Sequence, residues 1–133
     1  MAVFESEEQF YTAMQAVFAA VSQQPEHIET FTRSNLVIRM NFTNPTAEVL
    51  LDGRQPPLEV FYGPRPGTAN IEVTLDAELL HRIWLGQVSA SQSFFSGAIQ
   101  TQGNVMRALP LMDLFRVCEE VYPTVVENLN LDS

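Results

Sequence analysis

The sequence predicts an α+β fold, a five-stranded and mainly antiparallel sheet covered on one face by helices. Three observations carry the sheet and its helices. An apolar stripe of helical period opens the chain. From Asn35 the hydropathy period falls to two and persists through short segments separated by Pro, Gly, Asn and Asp. Helical periodicity then returns, interrupted once by a fifth short alternating segment.

Residues 6–22 read as the first helix. Ser6 followed by Gln9 is a capping-box pattern, and Glu7 and Glu8 suit the positive end of the helix dipole. Phe10, Met14, Val17, Phe18 and Val21 fall on one stripe. Pro25 fits the first turn of a second, short helix reaching about Thr32. In Leu36–Phe42 the even positions are apolar and the odd ones turn polar, the pattern of a strand with one buried face. Asn44-Pro45 and Asp52-Gly53 bound a second strand over Ala47–Asp52. A third covers Leu58–Tyr62, the Gly63–Gly67 run of Pro and Gly breaks the ladder, and a fourth covers Asn70–Leu75.

Asp76 caps a helix whose apolar face is Leu79, Leu80, Ile83 and Trp84 and which stops at Gly86. Ser89 caps a short helix through Phe95, Gly97 ends it, and Ala98–Gln102 is the fifth strand. Asn104 opens a final, broadly apolar helical region. Pro110 is expected to kink or divide it, and Pro123 to divide it again, because proline lacks the N–H that bonds back four residues.

Composition removes several function classes. The 133 residues suit one domain over 1–133. Sixteen acids face seven bases, every base is arginine, and the net charge is −9. That balance excludes a nucleic-acid partner, which needs cations to displace counterions, and docking on anionic membrane through a polybasic patch. The charge is segregated. Residues 1–34 and 113–133 each carry five acids and one arginine, whereas residues 35–112 carry six acids and five arginines. The absence of lysine removes Schiff-base chemistry and a P-loop lysine. One cysteine, Cys118, fits a reducing compartment; with neither a signal-like start nor a long apolar span, a cytoplasmic protein without stable membrane anchoring is expected.

No catalytic or metal constellation emerges. His27 and His81 belong to no metal-ligand spacing, Glu7/Glu8 and Glu119/Glu120 point in divergent directions on helices, and Cys118 reads as a core residue. No cofactor is expected. What remains is apolar surface: Met40, Met106 and Met112, with Trp84, Phe94 and Phe95, mark where a deformable lining would form, although each alone is more readily a core residue.

Residues 69–109 carry a family pattern. A strand ends in Thr74-Leu75, Asp76 caps a helix, and Gly86 follows. Phe94-Phe95-Ser96-Gly97 leads into a strand with Ile99, and Gly103 and Ala108 mark the last helix. This segment resembles the sterol carrier protein family, the small lipid-transfer domains of the second type. The resemblance implies an apolar tunnel between sheet and helices that holds a sterol, a fatty acyl chain or a similar hydrophobic molecule without covalent chemistry. Trp84, Phe94, Phe95, Ile99, Met106, Leu109 and Met112 are the expected tunnel wall, chosen by facing direction, and Met40 joins them from the apolar lining. The chain departs from the basic carriers of that family in its acidity.

The leading expectation is a non-enzymatic binder of a hydrophobic small molecule. The alternative is a protein–protein interaction or dimerisation module, with the acidic terminal helices as its surface and a homodimer as its form. A third reading, an isomerase with a carboxylate and a tyrosine in an apolar pocket, would draw its donor from Tyr11, Tyr62 or Tyr122.

Overall fold

A computed structural model describes residues 3–131. Helix α1 spans Glu7–Ser22. The Ser6 hydroxyl accepts from the Gln9 N–H at 3.1 Å, and the Gln9 side chain reaches back to the Glu5 N–H. The reciprocal cap therefore closes one residue earlier than the usual box. The single short helix expected after Pro25 is split into a 3-10 turn, Pro25–His27, and helix α2, Glu29–Thr32.

Five strands follow the alternation read from the sequence: β1 Leu36–Thr43, β2 Ala47–Gly53, β3 Glu59–Tyr62, β4 Ile71–Asp76 and β5 Gln100–Gln102. Their order in the sheet is β3-β2-β1-β4-β5. Three pairings are antiparallel and the β1–β4 pairing is parallel, so the sheet is mixed but mainly antiparallel. Register explains the alternation. Tyr62, Val49, Met40, Val73 and Thr101 form one cross-sheet row on the inner face, and Val60, Leu51, Ile38 and Ile71 form the next.

The remaining helices are α3 Ala77–Trp84, α4 Ala90–Ser96 and α5 Leu109–Leu129, the last preceded by a 3-10 turn over Val105–Ala108. Helix α5 is the hub: it packs against α1, α2 and α3, and together they bury Phe10, Phe31, Leu80, Trp84, Leu111 and Phe115. The helical region after Asn104 is divided at Pro110, into the 3-10 turn and α5; Pro110 is the second residue of α5, where its missing N–H is one the first turn leaves unpaired anyway. The expectation for Pro123 is corrected. Pro123 does not divide α5, which runs through it. Pro123 lies on the exposed side of α5.

The outer face of the sheet is polar and strapped. The Arg39 guanidinium pairs with Glu48 at 3.2 Å and donates to the carbonyls of Arg65 and Gly67, which holds the 63–69 loop across β1 and β2. Arg65 in turn lies 3.8 Å over the Phe61 ring.

Two predictions follow from the packing. A Cβ at Gly53 would stand 2.5 Å from the Phe31 carbonyl oxygen and within 3 Å of its ring. Gly53→Ala should therefore destabilise the fold by about 1–3 kcal/mol, read as a lower urea midpoint at unchanged slope. Cys118 is wholly buried in α5, and burial, reinforced by Glu119, pushes its thiol pKa up. The thiolate is then not formed at pH 8, and a disulfide reagent such as DTNB should label Cys118 only after the protein is unfolded.

Candidate functional site

The far end of the sheet is built from short pieces joined at sharp turns. Asp76 ends β4 and caps α3, its Oδ1 accepting from the Glu78 N–H at 2.8 Å. Ser89 caps α4 by accepting from Gln92, and Ser93, buried beneath it, donates to the Ser89 carbonyl at 2.8 Å. Gly97, at φ 86°, stops α4 in the left-handed conformation and turns the chain into β5. Gly103 turns it out again at φ 109°, where a Cβ would meet the Asn70 carbonyl oxygen at 2.9 Å. Asn104 then caps the 3-10 turn through its side-chain oxygen and the Met106 N–H, 3.0 Å apart.

Between α4, β5, the 3-10 turn and the start of α5 lies an open groove of about 350 Å³. Phe94, Phe95, Met106, Leu109 and Met112 line it, with Ser91, Thr101 and Ala108. Among the described residues the large hydrophobic side chains left exposed are Phe95 at 90%, Met106 at 66% and Leu109 at 55%, and all three belong to this lining. Single exposed hydrophobics are ordinary on a protein surface, whereas these three share one patch. The lining carries two hydroxyls, on Ser91 and Thr101, and no titratable side chain.

Five of the eight expected wall residues are thus brought together, and three are not. Met40 is 1% exposed and lies two strands inward of Thr101 in the same cross-sheet row, roughly 10 Å away at the usual strand spacing. Trp84 is packed edge-on among Phe18, Phe115 and Tyr122, with ring centroids at 6.3, 5.5 and 5.3 Å. Ile99 is buried at the entry to β5. Met40 and Trp84 are packed among core side chains, and the space bordered by the other five residues is an open groove at the β5 edge. The three unexpected members have signals in the sequence. Ser91 stands three and four residues before Phe94 and Phe95, Ala108 four before Met112, and Thr101 two after Ile99 on the same strand face.

The titratable residues lie elsewhere. His81 is buried in α3 with Nδ1 2.6 Å from the Tyr122 hydroxyl, and burial raises the Tyr122 pKa. The Tyr11 hydroxyl accepts from the Glu48 N–H at 3.0 Å, and Tyr62, pushed up to about 12 by burial, ends β3 on the opposite edge of the sheet. None of the three tyrosines lines the groove, and no carboxylate does, so the isomerase reading finds no acid–tyrosine pair there. His27 is exposed beside Glu26. Among the described residues no group of three His, Cys, Asp or Glu side chains is placed to hold a metal ion, and no helix is long and apolar enough to cross a membrane.

Comparison with known proteins agrees with the fold. The chain is similar in structure to sterol carrier protein 2 from Yarrowia lipolytica in its apo form, at a TM-score of 0.63 and 20% identity over 90% of this chain and 98% of that one. It is similar to sterol carrier protein domain 2 of Helicoverpa armigera at a TM-score of 0.64 and 18% identity, covering 83% of this chain and 87% of that one. A stereoselective inverting sec-alkylsulfatase from a Pseudomonas species contains the same fold as a small part of a larger enzyme, at a TM-score of 0.51 and 17% identity over 65% of this chain and 14% of that one. At these identities the likenesses establish the fold. The model of the SCP-2 sterol transfer family matches residues 16–116, a span that includes α3, α4, β5 and the first turns of α5, and the chain belongs to that family.

Proposed function

We propose that the chain binds a lipid-like or other hydrophobic small molecule, non-covalently, in the groove between α4, β5 and the start of α5. One observation carries the reading: the exposed large hydrophobics among the described residues all converge on this groove. Its volume of about 350 Å³ lies within the range of small-molecule sites. Met106 and Met112 give it a deformable wall that follows the shape of an apolar ligand. Every 100 Å² of apolar ligand surface covered would contribute about 2.5 kcal/mol before the costs of association. A lining without titratable groups supports binding over catalysis. The family's name and those of the relatives make sterols the first ligands to test, and a fatty acid serves as a simple apolar probe beside them. The lone buried thiol suits the reducing cytoplasm.

Met112, partly buried in the first turn of α5, tests the reading. A fluorescently labelled fatty acid should gain intensity on titration with the wild-type chain. Met112→Arg would set a charge in the apolar wall and should weaken that uptake at least about tenfold while leaving the urea midpoint nearly unchanged. Equal uptake by the variant, or none by wild type, would overturn the assignment of the groove.

A further inference from the structure

The sheet edge opposite the groove is β3, and its outer side is open. The Gly63 N–H donates to the Glu48 carbonyl at 2.8 Å. That bond fixes the phase of the antiparallel ladder: Phe61, opposite Leu50, turns its N–H and C=O toward β2, and Val60 and Tyr62 turn theirs away. Among the described residues no hydrogen bond within the chain engages those outward groups. An open depression of about 460 Å³ runs beside them, bordered by Gln15 of α1 and by residues 60–66. Pro57 and Pro64 flank the strand and cannot donate to a ladder, so pairing is confined to Glu59–Gly63.

We propose that a second copy of the chain adds here, β3 against β3 about a two-fold axis at Phe61, so that the two sheets join into one. The strand is complementary to itself. Val60 and Tyr62 stand two residues apart, so in an antiparallel copy each meets the other and exchanges both N–H···O bonds. Phe61 falls on the axis, at a pair that exchanges no hydrogen bond; there the Cα atoms approach to about 4.5 Å and the two rings meet on the outer face. Charge is complementary too. Glu59 and Arg65 are exposed, and among the described residues neither is in an ion pair. Arg65 lies 3.8 Å over the Phe61 ring, and in this register Glu59 of one copy is the diagonal neighbour of that ring in the other, roughly 7–8 Å away and within reach of the two long side chains. The helices leave room. α1 and α2 pack over β2, and the two β2 strands would stand three strand spacings apart, roughly 14 Å, beyond the about 8–10 Å at which helices pack. The repulsion of two chains of charge −9 is screened beyond about 8 Å at physiological salt. An extended segment of another protein is the poorer occupant, because it must supply a strand, an aromatic ring and both charges at a spacing that a second copy already carries. Both grooves lie at the far ends of the joined sheet and stay open.

The test is sedimentation equilibrium of the full chain at physiological salt through the micromolar range, with urea unfolding of each variant beside it. Wild type should show a reversible monomer–dimer equilibrium. Val60→Pro removes an N–H that the monomer does not use, and should weaken dimerisation at least about tenfold while the variant still unfolds cooperatively in urea. Glu59→Arg and Arg65→Glu each set like charges across the axis, and each alone should weaken dimerisation at least about tenfold. Mixed together, the two charge variants should form a heterodimer of near wild-type strength, because each supplies the charge that the other lacks. Both substitutions fall on exposed side chains, so they carry the test even where Val60→Pro fails to fold. A wild-type chain that stays monomeric throughout, a dimer that survives folded Val60→Pro, or charge variants that stay apart on mixing would each overturn the proposal.

Discussion

The junction between Asn70 and Val37 sets the position of everything on the functional side of the molecule. The Asn70 N–H donates to the Val37 carbonyl at 2.8 Å, and the Asn70 side-chain oxygen accepts from the Val37 N–H at 2.7 Å. One residue thus satisfies both backbone groups of Val37 and starts the parallel ladder that pairs Ile38 with Ile71. With that register fixed, β4 runs alongside β1 and delivers Asp76 to the turn after β1. There one oxygen of Asp76 accepts from the Asn44 side chain at 2.8 Å while the other caps α3. β1 is then flanked on both sides, and β5 adds to the free edge of β4. The same asparagine limits the exit from β5, because its carbonyl oxygen leaves no room for a Cβ at Gly103.

The groove follows from how briefly β5 lasts. It pairs with β4 over three residues, and the inner-face row that contains Met40 ends at Thr101. Among the described residues β5 is the edge strand, and no further strand pairs beyond it. Residues spaced for burial by helical period, Ser91, Phe94 and Phe95 on one side and Met106, Leu109 and Met112 on the other, therefore face a gap instead of a neighbour. Elsewhere α5 finds α1, α2 and α3 to pack against, and the core closes. A fold stabilised by the same apolar residue types throughout thus leaves them uncovered at the one edge where the sheet stops short.

Much of the fold was legible because its signals are local. Ser6, Asp76, Ser89 and Asn104 each cap the element that their side-chain chemistry marks, and the change of period at Asn35 locates the sheet. Pro123 was misread because a missing N–H breaks a helix only where packing does not carry the helix across it, and exposure cannot be read from the residue itself. The site was legible in part for a similar reason. Residues on α4 and α5 declare a shared face by their spacing. Whether Met40 and Trp84 face ligand or core depends on cross-sheet register and on aromatic neighbours distant in sequence, Phe18, Phe115 and Tyr122 for Trp84. The parallel pairing of β1 with β4 has no short-range signature either, since both strands alternate as antiparallel strands do.

Charge ties the fold to the function. Acids crowd both ends of the chain, and the acid-free stretch from Ile83 to Met112 is the one that forms the groove. A family member with this distribution presents an apolar, acid-free groove on an otherwise acidic body. The most direct measurement is the amide and methionine-methyl NMR spectrum of the labelled protein during titration with a fatty acid. If the groove holds the ligand, the perturbed signals fall in Ser91–Thr101 and Met106–Met112, and the Met40 methyl and Trp84 indole signals stay in place. Perturbations centred on Met40 and Trp84, or on the acidic faces of α1 and α5, would contradict it.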